Sequence, residues 1–273
     1  MSATRKPKEK NNAPKDKKGE TYHGLPHEPS IHPVRAGTDQ CSIPRRFRIE
    51  DHYPAHTKPE DIECHDQTWV FMACPESDTQ SSGGRRRTYH LGCIIIAIAG
   101  ACSNSGDNNG VSSAYTFLGA GNPQNVISSL DCNRKHTTEV AELGACIEAL
   151  NRAVLVERWR PFGKVNSITI KSSSEYVVLG MTERTHKWRE NGWKTAAGEP
   201  VENAAVFKHI AKQVDELEAK GVKVQFWLVP AEDNKFAQGR AQWALENHVP
   251  ATGDQELVKF MDVCDVVAGE TDT

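Results

Sequence analysis

EYVVLGMTERTHKWRENGWKTAAGEPVEN runs from Glu175 to Asn203. Two tryptophans five residues apart, Trp188 and Trp193, sit among basic residues and are followed by Lys-Thr and then Pro-Val-x-Asn. Serines precede the stretch, and Ser is a preferred N-cap, so SSEYVVLGMTERTHKW (173–188) reads as a helix. Just upstream, SITIKS (167–172) reads as a strand. Downstream, AAVFKHIAKQVDELEAKG (204–221) is amphipathic and ends at Gly221, a C′ type of residue. Its apolar stripe of Phe207, Ile210, Val214 and Leu217 is a core face. VKVQFWLVP (222–230) is a strand stopped by Pro230, and DNKFAQGRAQWALENH (233–248) is helical. DQELVKFMDVCDVV (254–267) reads as a final short helix that caps the domain with Leu257, Phe260, Met261 and Val263, or alternatively binds a partner.

Towards the N-terminus, YHLGCIIIAIAG (89–100) is an apolar strand, GVSSAYTFLGAG (110–121) an alternating second strand and NVISSLDC (125–132) a third. TTEVAELGACIEALNRAVLVERW (137–159) carries Val140, Leu143, Cys146, Ile147, Leu150 and Val154 at helical spacing. Three neighbouring antiparallel strands followed by helix-linked strands give an α/β fold, a mixed five-stranded sheet flanked by helices. The glycine-rich GDNNG (106–110) and GAGNPQN (119–125) lack the Lys-Ser/Thr of a phosphate loop and read as hairpin turns. Residues 1–37 are rich in Lys, Pro, Asn and His without apolar period and read as a disordered basic tail. Residues 38–88 form an extension expected to pack on the core. Within it TWVFMAC (68–74) is a strand candidate, while IPRRFRIEDHYP (43–54) reads as loop. The folded domain covers 89–248, and 249–273 holds the C-terminal helix and tail.

The element order and the 175–203 stretch resemble a ribonuclease H type 1 domain over about residues 90–245. In that family the Trp, basic and Trp-Lys-Thr residues form a handle that grips the DNA strand of an RNA–DNA hybrid. The resemblance therefore implies nucleic-acid contacts at Trp188, Arg189, Trp193, Lys194, Thr195 and Asn203. It also implies hydrolysis of the RNA strand by two magnesium ions held among four carboxylates.

Matched position by position, the family's strand-one Asp falls on Ala99, its helix Glu on Glu142, its strand-four Asp on Ser173 and its last-helix Asp on Gln238. Only Glu142 is a carboxylate. Two magnesium ions bring four positive charges to within about 4 Å of each other and need several oxygen anions around them. The expectation is a catalytically inactive member, a pseudoenzyme without metal or other cofactor, serving as a binding or scaffold module. The three replacements differ from one another, and Glu139 and Val140 stand where the family has Asn-Arg. Ala231 also replaces the Arg of the family's Val-Pro-Arg-Glu-x-Asn loop. Concerted departure of this kind reads as natural loss rather than design. Glu142 is expected to be a relic, or else an anchor bonded to Ser173. The alternative function is an active hybrid-specific nuclease that recruits Glu175, Glu232 or Asp233.

Charge bears on the partner. Of the net −3, residues 1–20 contribute +4 from seven Lys/Arg and three Asp/Glu, which leaves −7 on the remainder. Nucleic acid, whether RNA or a hybrid, is therefore expected to be held weakly, through the handle and tail. A protein is the other expected partner, bound in the former substrate groove or at the extension. The longest apolar run, Cys93–Ala99, is too short to cross a bilayer, and residues 1–20 lack an apolar leader. An intracellular location, nuclear or cytoplasmic, with the eight cysteines reduced, is the expectation. Cys41, His52, His56, Cys64, His65 and Cys74 offer zinc-type ligands but no Cys-x2-Cys pair, so loop histidines and buried cysteines are the simpler reading. Cys102, after the first strand, reads as a small packed residue.

Overall fold

The computed structural model describes residues 26–27, 45–75, 80–81, 84–85, 88–103, 110–130 and 136–247. Most of the expected basic tail, the C-terminal helix and most of GDNNG lie outside these residues, as does Cys41; within the tail, Pro26–His27 is not disordered but pairs in parallel with Tyr89–His90. The strands are β1 (Pro26–His27), β2 (Arg46–Phe47), β3 (Glu63–His65), β4 (Val70–Ala73), β5 (Gln80–Ser81), β6 (Gly84–Arg85), β7 (Tyr89–Ser103), β8 (Val111–Phe117), β9 (Val126–Leu130), β10 (Ser167–Ser172) and β11 (Lys223–Leu228). The helices are α1 (Pro59–Ile62), α2 (Thr138–Trp159), α3 (Glu175–Leu179), α4 (Thr185–Glu190), α5 (Ala204–Ala219) and α6 (Lys235–Glu246).

The 15-residue β7 is the axis of the molecule. Its β-branched run Ile94–Ile96 and Ile98 is almost wholly buried, as suits a strand covered on both faces. On one side it pairs in parallel with β10, Ile94 opposite Ile168 and Ile96 opposite Ile170, and β10 pairs in parallel with β11. On the other side its C-terminal half pairs antiparallel with β8, Ala99 opposite Tyr115, and β8 pairs with β9. These five strands are the expected mixed sheet.

The extension enlarges that sheet at both margins. β4 pairs antiparallel with the lower half of β7 and carries β3 beside it, while β2 pairs with β11. With β1, which pairs in parallel with the start of β7, the result is a nine-stranded sheet. IPRRFRIEDHYP is therefore not plain loop: it contains β2 and a 3-10 turn at Ile49–Asp51. Two anchors explain this. Phe47 packs edge-on against Trp227 at 5.3 Å. Arg45 donates from Nη2 to both Asp215 and Glu218 of α5, each at 2.7 Å.

One sheet face is covered by α2, α3 and α5, which close the main core around Leu143, Ile147, Leu150, Phe207, Val214 and Phe226. Each such side chain contributes about 1.5–3 kcal/mol of burial free energy. The opposite face is shared. α6 covers the upper part with Ala237, Ala241 and Ala244 on Ala97, Ala99 and Ala101. The extension covers the lower part with Phe47, Tyr53, Ile62 and Val70 on Ile95 and Trp227. No helix among the described residues is long and apolar enough to cross a membrane.

Between α3 and α4 the chain makes a π turn at Gly180–Arg184, which the sequence pattern does not announce. A Cβ at Gly180 would lie 2.4 Å from the Phe207 ring. Helix α5 thus sits directly on this glycine, and the Thr185 hydroxyl donates to the Gly180 carbonyl at 2.7 Å to close the widened turn.

Candidate functional site

The four positions matched to metal-binding carboxylates come together at the upper end of β7 and β10. Helix α2 starts at an N-cap, Thr137, whose hydroxyl accepts from the Val140 amide at 3.2 Å. It then passes so close to β7 that a Cβ at Gly100 would lie 2.3 Å from the Glu142 nitrogen. The bare strand backbone at Gly100 is what lets Glu142 sit beside the strand end. Ser174 caps α3 by accepting from the Val177 amide at 3.3 Å and donates its own hydroxyl proton to Glu142. Gln238, one turn into α6, donates from Nε2 to the Ser173 hydroxyl at 2.9 Å. Asn234, at the start of α6, is buried and donates to the Ile98 carbonyl at 2.9 Å. That bond fixes α6 over β7 one residue before Ala99.

The partner of Glu142 is therefore Ser174, not Ser173. The two serines are adjacent in sequence, and the N-cap backbone turns Ser174 towards α2 while Ser173 faces α6. Ala99 is 5% exposed and sits among the alanines of α6. Burial pushes the Glu142 carboxyl above its usual range; the Ser174 hydrogen bond opposes this, and the neighbouring Glu139 charge adds to it.

The handle packs along α5. Trp188 packs edge-on against Phe207 at 5.0 Å and tilts over Trp193 at 6.1 Å. Trp193 holds a left-handed backbone, φ 62°, which a non-glycine residue adopts only when its surroundings impose it. Its amide donates to the Trp188 carbonyl at 2.6 Å, and its carbonyl accepts from Val201 at 3.0 Å. Lys194 bridges to Pro200 and is bracketed by the Asn191 side chain. Lys194 and Thr195 point to solvent, and Lys208 lies 5.7 Å from the Trp193 ring. Asn203 donates to the Tyr176 hydroxyl at 3.1 Å. Arg189 is held by Asp215 at 2.6 Å, and Asp215 also holds Arg45. Both tryptophans are half-buried scaffold as well as surface.

A sequence model of RNase H matches residues 94–242, more than half of the chain. The chain belongs to the RNase H family. Among relatives, a ribonuclease H of Zymomonas mobilis is 30% identical over 136 residues, half of this chain and 72% of that protein. A ribonuclease H of Thermosynechococcus vestitus is 39% identical over 74 residues, 27% of this chain and 43% of that protein. Human ribonuclease H1 is 26% identical over 137 residues, half of this chain and 43% of that protein. Matches of this kind thus span less than half the length of the cyanobacterial and human relatives.

The RNase H segment opens at Ile94, inside β7, and closes at Gln242, inside α6, so the extension lies outside it. Between the two is a cleft of about 510 Å³ lined by Glu60, Asp61, Glu63, His65, Lys171, Glu232 and Asp233, among others. Lys171 is buried, ion-paired to Glu63 and 5.8 Å from the Trp227 ring. Burial raises the Glu63 carboxyl, but the His65 hydrogen bond and the Lys171 charge outweigh it and hold it below the usual range. The visible signal for this pair was Lys171 itself, a charged residue inside the strand SITIKS. Glu232 and Asp233 open onto this cleft, and Glu175 is exposed at the start of α3. His52 stacks on Phe47 at 5.5 Å, and among the described residues no three His, Cys, Asp or Glu side chains come together as a metal set. Cys102 is half-buried, its thiol donating to the Ser103 carbonyl at 3.4 Å.

Proposed function

We propose that this chain is a catalytically inactive RNase H-like domain that works as a binding module for RNA–DNA hybrid through its handle. The observation that carries this is the state of the four matched positions: Ala99 packed under α6, Ser173 bonded to Gln238, and Glu142 bonded to Ser174. A two-magnesium centre does not fit this donor set. Two dications about 4 Å apart repel by roughly 17 kcal/mol at an effective dielectric near 20. One carboxylate, already drawn towards its neutral form, cannot offset that. The Gln238 amide directs a donor N–H, not an acceptor, at Ser173.

For binding, the surface offers Lys194 and Lys208 beside Trp193, with Lys187 exposed on α4. Cations neutralise phosphates and an indole stacks on sugars or bases. About three such contacts predict a fall of roughly 40-fold in affinity between 50 and 200 mM salt.

The test is a labelled RNA–DNA hybrid, offered to this chain and to the triple variant Ala99→Asp, Ser173→Asp, Gln238→Asp, with magnesium or manganese. The unaltered chain should bind weakly in a salt-dependent way and leave the RNA strand whole. The triple variant should gain some cleavage. Strand scission by the unaltered chain would overturn the inactive reading, and binding that persists undiminished in Lys194→Ala and Trp193→Ala would overturn the handle's part in it.

A further inference from the structure

Three large apolar side chains among the described residues are exposed, and two of them lie on α6: Phe236 at 57% and Trp243 at 42%. They stand seven residues apart, so they share one flank of the helix and are separated along it by about 10 Å. Arg240, half-buried, stands between them on that flank. Phe236 packs on Phe117 at 4.8 Å and towards Tyr115 at 6.3 Å. The Arg240 guanidinium lies 4.6 Å from the centre of the Trp243 ring and 5.8 Å from that of Tyr115. Two rings thus hold the cation in place. Among the described residues no carboxylate pairs with it, and Glu246, at the end of α6, accepts from Gln242 instead at 2.9 Å. Gln238 projects from the far side of the helix, where it reaches Ser173. The flank is therefore separate from the four matched positions. It is separate from the handle too, which packs on α5 across the sheet.

We propose that this flank of α6 is a seat for single-stranded nucleic acid, with bases stacked on Phe236 and Trp243 and a phosphate on Arg240. The order ring, cation, ring along the helix matches the order base, phosphate, base along a strand. An exposed ring accepts any base, because every base has a π-face. Bases within a duplex are already stacked on one another, so the seat selects unpaired nucleotides. Arg240 is placed by Trp243 and Tyr115 before a strand arrives, so little side-chain freedom is lost on contact. An acidic peptide would satisfy Arg240 but does not carry a planar ring at every unit for Phe236 and Trp243. A second copy fits less well, because a two-fold contact centred on this flank sets Arg240 against its own counterpart. The seat differs from the handle in place and in the form of nucleic acid it takes, and it does not depend on whether the matched positions support catalysis.

Fluorescence anisotropy of a short labelled oligothymidylate, titrated with the full chain, tests the assignment. The oligonucleotide should bind, and Phe236→Ala and Trp243→Ala should each weaken it about fivefold or more. Trp243→Tyr keeps a ring and should retain most of the affinity, which separates lost stacking from a damaged fold. Arg240 neutralises one phosphate, so it accounts for about a threefold fall in affinity between 50 and 200 mM salt, and Arg240→Gln should remove that share. Absence of oligothymidylate binding overturns the proposal while leaving the handle's grip on a hybrid untouched. Binding that survives all three losses but falls with Lys194→Ala places the strand on the handle and also overturns it. So does a dimer mass in light scattering that Trp243→Ala abolishes, or binding of an acidic, phenylalanine-containing peptide in place of the oligonucleotide.

Discussion

Replacing Ala99 with aspartate puts a carboxylate where the family's first metal ligand would stand, and the structure sets its cost. Ala99 is 5% exposed, and Ala237 and Ala241, which face it, are 1% and 0% exposed. An unpaired buried charge in such a place costs at least about 3 kcal/mol. In a chain of this size that lowers the melting temperature by roughly 6–12 °C. Ala99→Asn, neutral and of similar shape, should lose only about 1–3 kcal/mol. The introduced carboxyl would be raised by burial, so its penalty is largest at neutral pH and fades as pH falls towards about 4. Thermal unfolding by circular dichroism, across pH and with or without magnesium, reads all of this. A metal site with Kd a hundredfold below the magnesium concentration would return about 2.7 kcal/mol. No return is expected for this single replacement, because Ser173 and Gln238 still supply no carboxylate. If Ala99→Asp is as stable as the unaltered chain, or if magnesium restores it, the packing argument fails.

Glu142 is raised above its usual range by burial, so its ionised form weakens the fold at neutral pH. That group's contribution is favourable below its unfolded pKa and is lost as pH rises through the folded one. Glu142→Gln should therefore leave stability at pH 7 unchanged or higher, with the gain vanishing in acid; denaturant unfolding at both pH values checks it. The Lys171–Glu63 pair is mostly buried, with side chains 7% and 13% exposed. Lys171→Met alone should cost about 3–5 kcal/mol and Lys171→Met with Glu63→Gln distinctly less. Because the Glu63 carboxyl is held low, its share of stability is present at neutral pH and lost as pH falls through and below the usual carboxylate range.

The parts that could be read in the sequence are those with a strong period or a dense motif. The Ile-rich β7, the helical spacing of α2 and the stripe of α5 each declare themselves locally, because burial demands apolar residues at fixed intervals. The Trp188-to-Asn203 motif then set the register in which Ala99, Glu142, Ser173 and Gln238 could be matched. What escaped reading depends on tertiary contact. β2 is two residues long and exists because Arg45 reaches α5 and Phe47 reaches Trp227; no period of two can show in two residues. Which of two adjacent serines meets Glu142 is decided by the N-cap backbone, not by residue type. The π turn answers to Phe207 pressing on Gly180, a contact between residues far apart in sequence.

The extension's placement at both margins of the sheet has a consequence for how the chain can be divided. β11 is shielded by β2, and the lower half of β7 by β4. A fragment trimmed to residues 94–242 would bare a six-residue parallel strand on one flank and, on the other, lose Tyr89–Cys93, a third of its central strand, together with β4 beside it. Unpaired amides on long apolar strands recruit strands from other molecules. β2 and β4 thus cover edges that the RNase H segment alone would expose, and expression of that segment by itself should yield aggregate rather than monomer.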